Sequence, residues 1–140
     1  MRRGRLLASR PVNEATLTRI PLFAGLDAER RDALASVCEE IEVEPGTVLT
    51  KEGDFGFAMF AIVEGAADVQ QGGETIRTLG AGSVFGEIAI LSGGRRTATV
   101  VATAPTKLIT VLNRDVWRLE NDSPDVGASL RAAIADCLGA

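Results

Sequence analysis

The sequence predicts a mainly β domain with helices at both ends. Three observations carry that expectation. Between Val43 and Leu112, short runs of β-branched and apolar residues are broken by turn signals every eight to twelve residues or so. That texture belongs to a closed antiparallel sandwich or barrel. Before and after this stretch, apolar residues recur at helical spacing instead. The chain has 140 residues, the size of one domain with one core.

Residues 1–12 read as a basic tail, with four arginines among the first ten positions. Its apolar part, Leu6-Leu7-Ala8, is too short for a signal peptide. The domain is expected over 13–140, with N-terminal helices at 13–42, the β region at 43–112 and C-terminal helices at 113–140. Asn13 can cap the first helix, Glu14 suits its positive end, and Pro21 stops it. Asp27 can cap the second, "AERRDALASVCEE", and Leu34, Val37, Cys38 and Ile41 fall at helical spacing on one face.

The β pattern starts with the proline-glycine turn and alternation of "EPGTVLTKEGD". "MFAIVEG" is an apolar strand ending at Gly65, and "AADVQ" and "TIRTL" flank a hairpin signal at Gln71-Gly72-Gly73-Glu74. "GAGS" turns the chain again, and "TATVVAT" and "KLITV" supply the last strands. Asn113 can then cap "RDVWRLE", with Trp117 expected to pack beneath that helix. Ser123 and Pro124 open a final helix in which Leu130, Ile134 and Leu138 recur every four residues. Periodicity alone leaves that stripe as either core or lid.

Composition removes several functions. The net charge of −4 argues against a nucleic-acid binder held by phosphate contacts. Histidine is absent, which removes the usual general base and the commonest nitrogen ligand of metals. No catalytic residue, metal or cofactor is therefore expected, and a metal-dependent cupin is a remote alternative. No apolar run approaches the ~20 residues that span a bilayer, so membrane insertion is not expected. Cys38 and Cys137 each fall in an apolar helical pattern, as buried thiols of a reducing cytosol do, with a disulfide left open. A cytoplasmic protein is expected.

The chemistry gathers in "FGEIAILSGGRRTATV", residues 85–100. Phe85-Gly86-Glu87 sits where a strand hands over to a short helix, and glycine there allows a ligand close to the backbone. The amides of Ile88 and Ala89 at the helix start suit an anion. Arg96 follows the flexible Gly93-Gly94, and its guanidinium can return to the same point as a bidentate partner. Glu87 would repel a bound phosphate unless it accepts from a neutral hydroxyl on the same ligand. A sugar joined to a phosphate meets both needs. Taken singly, each residue also has a structural use, Glu87 as a helix cap and Arg95 and Arg96 as solvated charges.

This stretch closely resembles the phosphate-binding cassette of cyclic nucleotide-binding domains. Phe85-Gly86-Glu87-Ile88-Ala89, the ungapped spacing to Arg96, and Thr97-Ala98-Thr99-Val100 all follow that pattern. "EPGTVLTKEGD" and "FAIVEGAADV" extend the likeness over about residues 12–138. The resemblance implies an eight-stranded antiparallel jelly-roll-like β-roll with N-terminal helices and a C-terminal lid helix. It implies that Arg96 pairs with the cyclic phosphate, that the amides of Ala89, Thr97 and Ala98 add donors, and that Gly86 and Glu87 hold the ribose 2′-hydroxyl.

Arg95 stands where many members have proline, and Ala67 where many have valine. A threonine at the place of Thr97 goes with tolerance for cGMP. The expected ligand is cAMP, with cGMP weaker but real. Val69 and Leu79 are candidates for the wall beside the base, and Leu130, Ile134 and Arg131 for its cover. The output would be movement of the last helix, sensed by an unidentified effector protein. A stand-alone sensor is expected, with a sensor portion of a larger channel, regulator or enzyme as the alternative.

Overall fold

The structure, a computed structural model, describes residues 6–86 and 94–139, apart from the side chains of 133 and 136–139. Nine strands and five helices are described. A five-stranded antiparallel sheet has the order β1 (Leu6–Pro11), β2 (Cys38–Val43), β9 (Thr106–Leu112), β4 (Ala58–Glu64), β7 (Val84–Phe85). A four-stranded antiparallel sheet has the order β3 (Val48–Thr50), β8 (Thr99–Ala102), β5 (Ala67–Gln71), β6 (Glu74–Leu79). The architecture is thus mainly β with flanking helices, as expected. The two sheets do not close into a continuous barrel, because the described strands form two separate ladders.

The core has two compartments, and β4 separates them. Met59, Ala61 and Val63 point to one side and Phe60 and Ile62 to the other, all buried. A strand covered on both faces reads as a continuous apolar run, which explains "AMFAIV". Inside the roll, Phe60, Ile62, Ala67, Val69, Leu79, Phe85, Val100 and Leu108 pack together. On the outer side, Met59, Ile109 and Val111 meet the helices α1 (Glu14–Leu17), α2 (Pro21–Ala24), α3 (Ala28–Ala35), α4 (Asn113–Asp122) and α5 (Pro124–Gly139).

The caps at Asn13 and Asp27 form as the sequence indicates, accepting from the amides of Thr16 and Arg30 at 2.8 and 2.9 Å. Pro21 does more than end a helix: it opens α2 at a position where its missing amide costs nothing. Four expectations need correction. Helix α3 stops at Ala35, and Cys38–Val43 is a strand. The spacing of Leu34, Val37, Cys38 and Ile41 fits a helix, but Cys38–Val43 pairs with both β1 and β9, and that tertiary pairing overrides the local pattern.

The basic tail is also structured in part, since residues 6–11 form the edge strand β1. Arg10 secures it across the ladder, its Nε donating to Glu40 at 2.5 Å and its Nη2 to Glu42 at 2.5 Å. Those bonds raise the Arg10 pKa and lower that of Glu42. Finally, Asn113 is the first residue of α4 and not its cap, and Trp117 stands on the outside of that helix, 52% exposed. The side chain of Cys137 lies outside the described residues, whereas Cys38 is a buried free thiol.

Candidate functional site

Strand β7 brings the cassette to the mouth of the roll. Phe85 pairs with Phe60 across the sheet, and the rings stack with centroids 5.1 Å apart and planes 19° apart. Burying both rings fixes the end of β7, and the chain leaves the sheet at Gly86 with φ of +77°. That left-handed conformation favours glycine. A Cβ at Gly86 would lie 2.7 Å from Arg96 Nη1 and 3.1 Å from the Ala58 oxygen, so the guanidinium occupies the space a side chain would take.

Arg96 is held at both ends. Its backbone N–H donates to the Asp54 carbonyl at 2.6 Å, and its carbonyl accepts from the Gly53 amide at 2.9 Å. Its Nη2 donates to the Ala58 carbonyl at 2.7 Å and its Nη1 to the Gly86 carbonyl at 3.2 Å. The cation is therefore positioned in part by two backbone oxygens. Arg95 turns elsewhere: it donates to the Gly53 carbonyl at 2.8 Å and lies 4.4 Å over the Phe55 ring, a cation–π contact.

The end of the cassette is tied to its neighbours through its carbonyls. Gln71 Nε2 donates to Thr97 O at 3.0 Å, and Thr50 Oγ1 donates to Ala98 O at 3.0 Å. A cavity of about 110 Å³ lies here, lined by Thr50, Gly56, Val69, Arg77, Phe85, Gly86, Gly94, Arg95, Arg96, Thr97, Ala98 and Val100. It is smaller than the roughly 300–1,000 Å³ of ordinary ligand pockets.

Of the residues singled out from the sequence, Phe85, Gly86, Arg96, Thr97, Ala98 and Val69 converge on this cavity. Glu87, Ile88 and Ala89 lie outside the described residues. Leu79 is buried in the roll beside the site but does not line it. Leu130 and Ile134 are not at the cavity at all. They are buried among Leu17, Phe23, Leu34, Val116 and Leu119 in the helical compartment. Their four-residue stripe is covered by neighbouring helices, which is the core reading of that pattern. Arg131 likewise turns to Glu120, its Nη2 donating at 2.5 Å.

Arg77 also lines the cavity, and sequence reading did not single it out. It faces Val69 across the β5–β6 hairpin because a bulge shifts the register between Val69 and Gln70. Counted from the Gly72-Gly73 turn without the bulge, Val69 would face Ile76. The extra residue instead leaves Ile76 exposed and puts Arg77 on the cavity wall.

Comparison with known proteins agrees with this geometry. A family model described as the cyclic nucleotide-binding domain matches residues 40–122. A cyclic nucleotide-gated potassium channel of Rhizobium etli is 33% identical over 112 residues, covering 80% of this chain and 31% of the channel. A cAMP-dependent protein kinase regulatory subunit of Yarrowia lipolytica is 35% identical over 104 residues, covering 73% of this chain and 28% of the subunit. The chain thus spans about a third of the length of these curated relatives. In fold, it is similar to the crystal structure of a cyclic nucleotide-binding domain from Methylobacillus flagellatus, with a TM-score of 0.83, 23% identity, and coverage of 97% of this chain and 82% of that one.

Proposed function

Because the chain belongs to the family of cyclic nucleotide-binding domains, we propose that it is a sensor that binds cAMP, and cGMP more weakly, at the Gly86–Arg96 site. The observation that carries this reading is the guanidinium of Arg96 held on the wall of the cavity by the carbonyls of Ala58 and Gly86. A fixed cation in a partly enclosed, half-apolar cavity suits one anionic group on an otherwise uncharged ligand. The cyclic phosphate takes Arg96 and the amides of Ala89, Thr97 and Ala98, and the ribose 2′-hydroxyl takes Gly86 and Glu87. The base lies toward Val69, with Thr97 and Arg77 able to reach its edge.

The last helix carries the signal. In the present arrangement Leu130 and Ile134 are almost wholly buried in the helical compartment. For them to cover the base, α5 must leave that core, and exposing each side chain costs about 1.5–3 kcal/mol. Nucleotide binding must therefore stabilise the closed arrangement by at least that much. The reading involves no catalysis, and a larger channel, regulator or enzyme would use the same module as its sensing part. Calorimetric titration of the intact chain and of Arg96→Ala with cAMP and cGMP tests the site, with thermal melts to verify folding. Equal binding by the two proteins would refute the assignment. Distance measurement by paired spin labels on α5 and the Phe55 loop, with and without cAMP, tests the movement; an unchanged distance at saturation would rule it out.

A further inference from the structure

Three successive carbonyls of the cassette each accept a hydrogen bond from a different part of the roll. The Arg96 carbonyl accepts from the Gly53 amide at 2.9 Å, the Thr97 carbonyl from Gln71 Nε2 at 3.0 Å, and the Ala98 carbonyl from Thr50 Oγ1 at 3.0 Å. A trans peptide is planar, so its C=O and the N–H of the next residue point in opposite directions. The bond at the Arg96 carbonyl therefore sets the direction of the Thr97 N–H. The bond at the Thr97 carbonyl sets that of the Ala98 N–H. These are two of the amides that the nucleotide reading gives to the cyclic phosphate.

Gln71 stands outside the cassette. It ends β5, just before the Gly72-Gly73 turn, at an exposed position. A polar side chain there is satisfied by water, yet its amide reaches a carbonyl 26 residues away in sequence. The turn beside it is held as well. The Gly72 amide donates to a Glu52 carboxylate oxygen at 3.1 Å, and the Glu52 amide donates to Thr99 Oγ1 at 2.9 Å. Glu52 thus joins the hairpin turn to the residue after Ala98, and Gln71 closes the loop at Thr97. Gln71 does not line the cavity, so it acts on a ligand only through the peptide it holds.

We propose that Gln71 is a positioning residue for the phosphate-binding amides. By holding the Thr97 carbonyl, it keeps the Thr97–Ala98 peptide plane from turning. A carbonyl that accepts a hydrogen bond also polarises its own peptide, which makes the Ala98 N–H a stronger donor. The same tie joins the strand that carries Val69, on the cavity wall, to the peptide that faces the phosphate. The role rests on the nucleotide reading of the site and adds to it a residue from outside the cassette.

Two variants of the intact chain test this. Gln71→Met keeps the length of the side chain and removes the donor, and Gln71→Asn keeps the donor but falls one methylene short. Each should weaken cAMP about three- to tenfold, the loss of one hydrogen bond, with the melting temperature of the ligand-free chain nearly unchanged. A role confined to stability would not move the next readout. In nuclear magnetic resonance spectra of the isotope-labelled wild type, cAMP should carry the Ala98 amide proton downfield, as a bond to phosphate does. In Gln71→Met that movement should fall by at least half. The role is overturned if either folded variant binds cAMP as the wild type does, or if affinity falls while the Ala98 amide proton moves as far as in the wild type. A wild-type chain that does not bind cAMP at all would refute the nucleotide reading itself, and this role with it.

Discussion

Replacing Gly86 with alanine probes whether the backbone at the cassette positions Arg96. Gly86 has φ of +77°, and an L side chain there costs about 1–2 kcal/mol in strain. The added Cβ would also meet Arg96 Nη1 at 2.7 Å. The guanidinium is the far end of a flexible side chain, so it moves and the Gly86 carbonyl loses its bond at 3.2 Å. Stability should fall by about 1–3 kcal/mol, a melting temperature several degrees lower. If a displaced Arg96 forfeits one charge-assisted bond to the cyclic phosphate, worth about 1.5–3 kcal/mol, cAMP affinity drops roughly ten- to 150-fold. Competition against a fluorescent cAMP analogue, alongside thermal melts, measures both. The decisive comparison is a double-mutant cycle with Arg96→Ala. When Gly86 acts through Arg96, adding Gly86→Ala to Arg96→Ala changes affinity little further. If it weakens binding by the same factor in both backgrounds, or if the stable single variant binds normally, the positioning argument fails.

Three further outcomes are expected. Thr97→Ala should weaken cGMP more than cAMP, by the roughly 0.5–1.5 kcal/mol of one hydrogen bond; equal losses in parallel titrations would remove Thr97 from selectivity. Arg77→Gln should move preference toward cAMP, because an arginine fork matches the two acceptors of guanine whereas glutamine matches the donor-acceptor pair of adenine. A shift of about 1–3 kcal/mol in relative affinity is expected, and an unchanged cGMP-to-cAMP ratio would show that Arg77 does not reach the base. In a Cys137→Ser background, the Cys38 thiol should resist an aromatic disulfide reagent at pH near 8 until the chain unfolds, since burial first and the Asp115 charge second push its pKa up to about 12. An unfolded thiol ionises near 8.5, so the unfolded state loses its proton first as pH rises, and stability should decline from about pH 9 upward toward 12. Rapid native labelling would contradict the burial.

How far the sequence discloses this molecule depends on the range of the forces at each place. The hairpin at Gly72-Gly73, the caps at Asn13 and Asp27 and the end of a strand at Phe85 are local decisions, and each is legible. Cys38–Val43 is not, because its strand state comes from two partners, Leu6–Pro11 and Thr106–Leu112, far away in the chain. The same distinction runs through the site. Gly86, Arg96, Thr97 and Ala98 are contiguous enough for spacing to gather them, and Val69 faces inward by strand alternation. Arg77 is hidden by one bulge, a single-residue register shift that no alternation pattern records.

That bulge bears on ligand choice. Regular pairing would set Ile76 beside Val69 and make this stretch of the wall apolar, indifferent to which purine edge approaches. With the shift, Arg77 takes that place and Ile76 is left on the outside, 53% exposed. Leaving a large apolar side chain in water is unfavourable, by about 25 cal/mol per Å² of apolar surface, and the roll interior gains no apolar packing in exchange. Arg77, itself exposed, lines the cavity where regular pairing would place an apolar side chain. If the wall must present hydrogen-bond donors to a bound base, Arg77→Leu should abolish base discrimination, read as the cGMP-to-cAMP affinity ratio in paired titrations, while Arg96 still holds the phosphate.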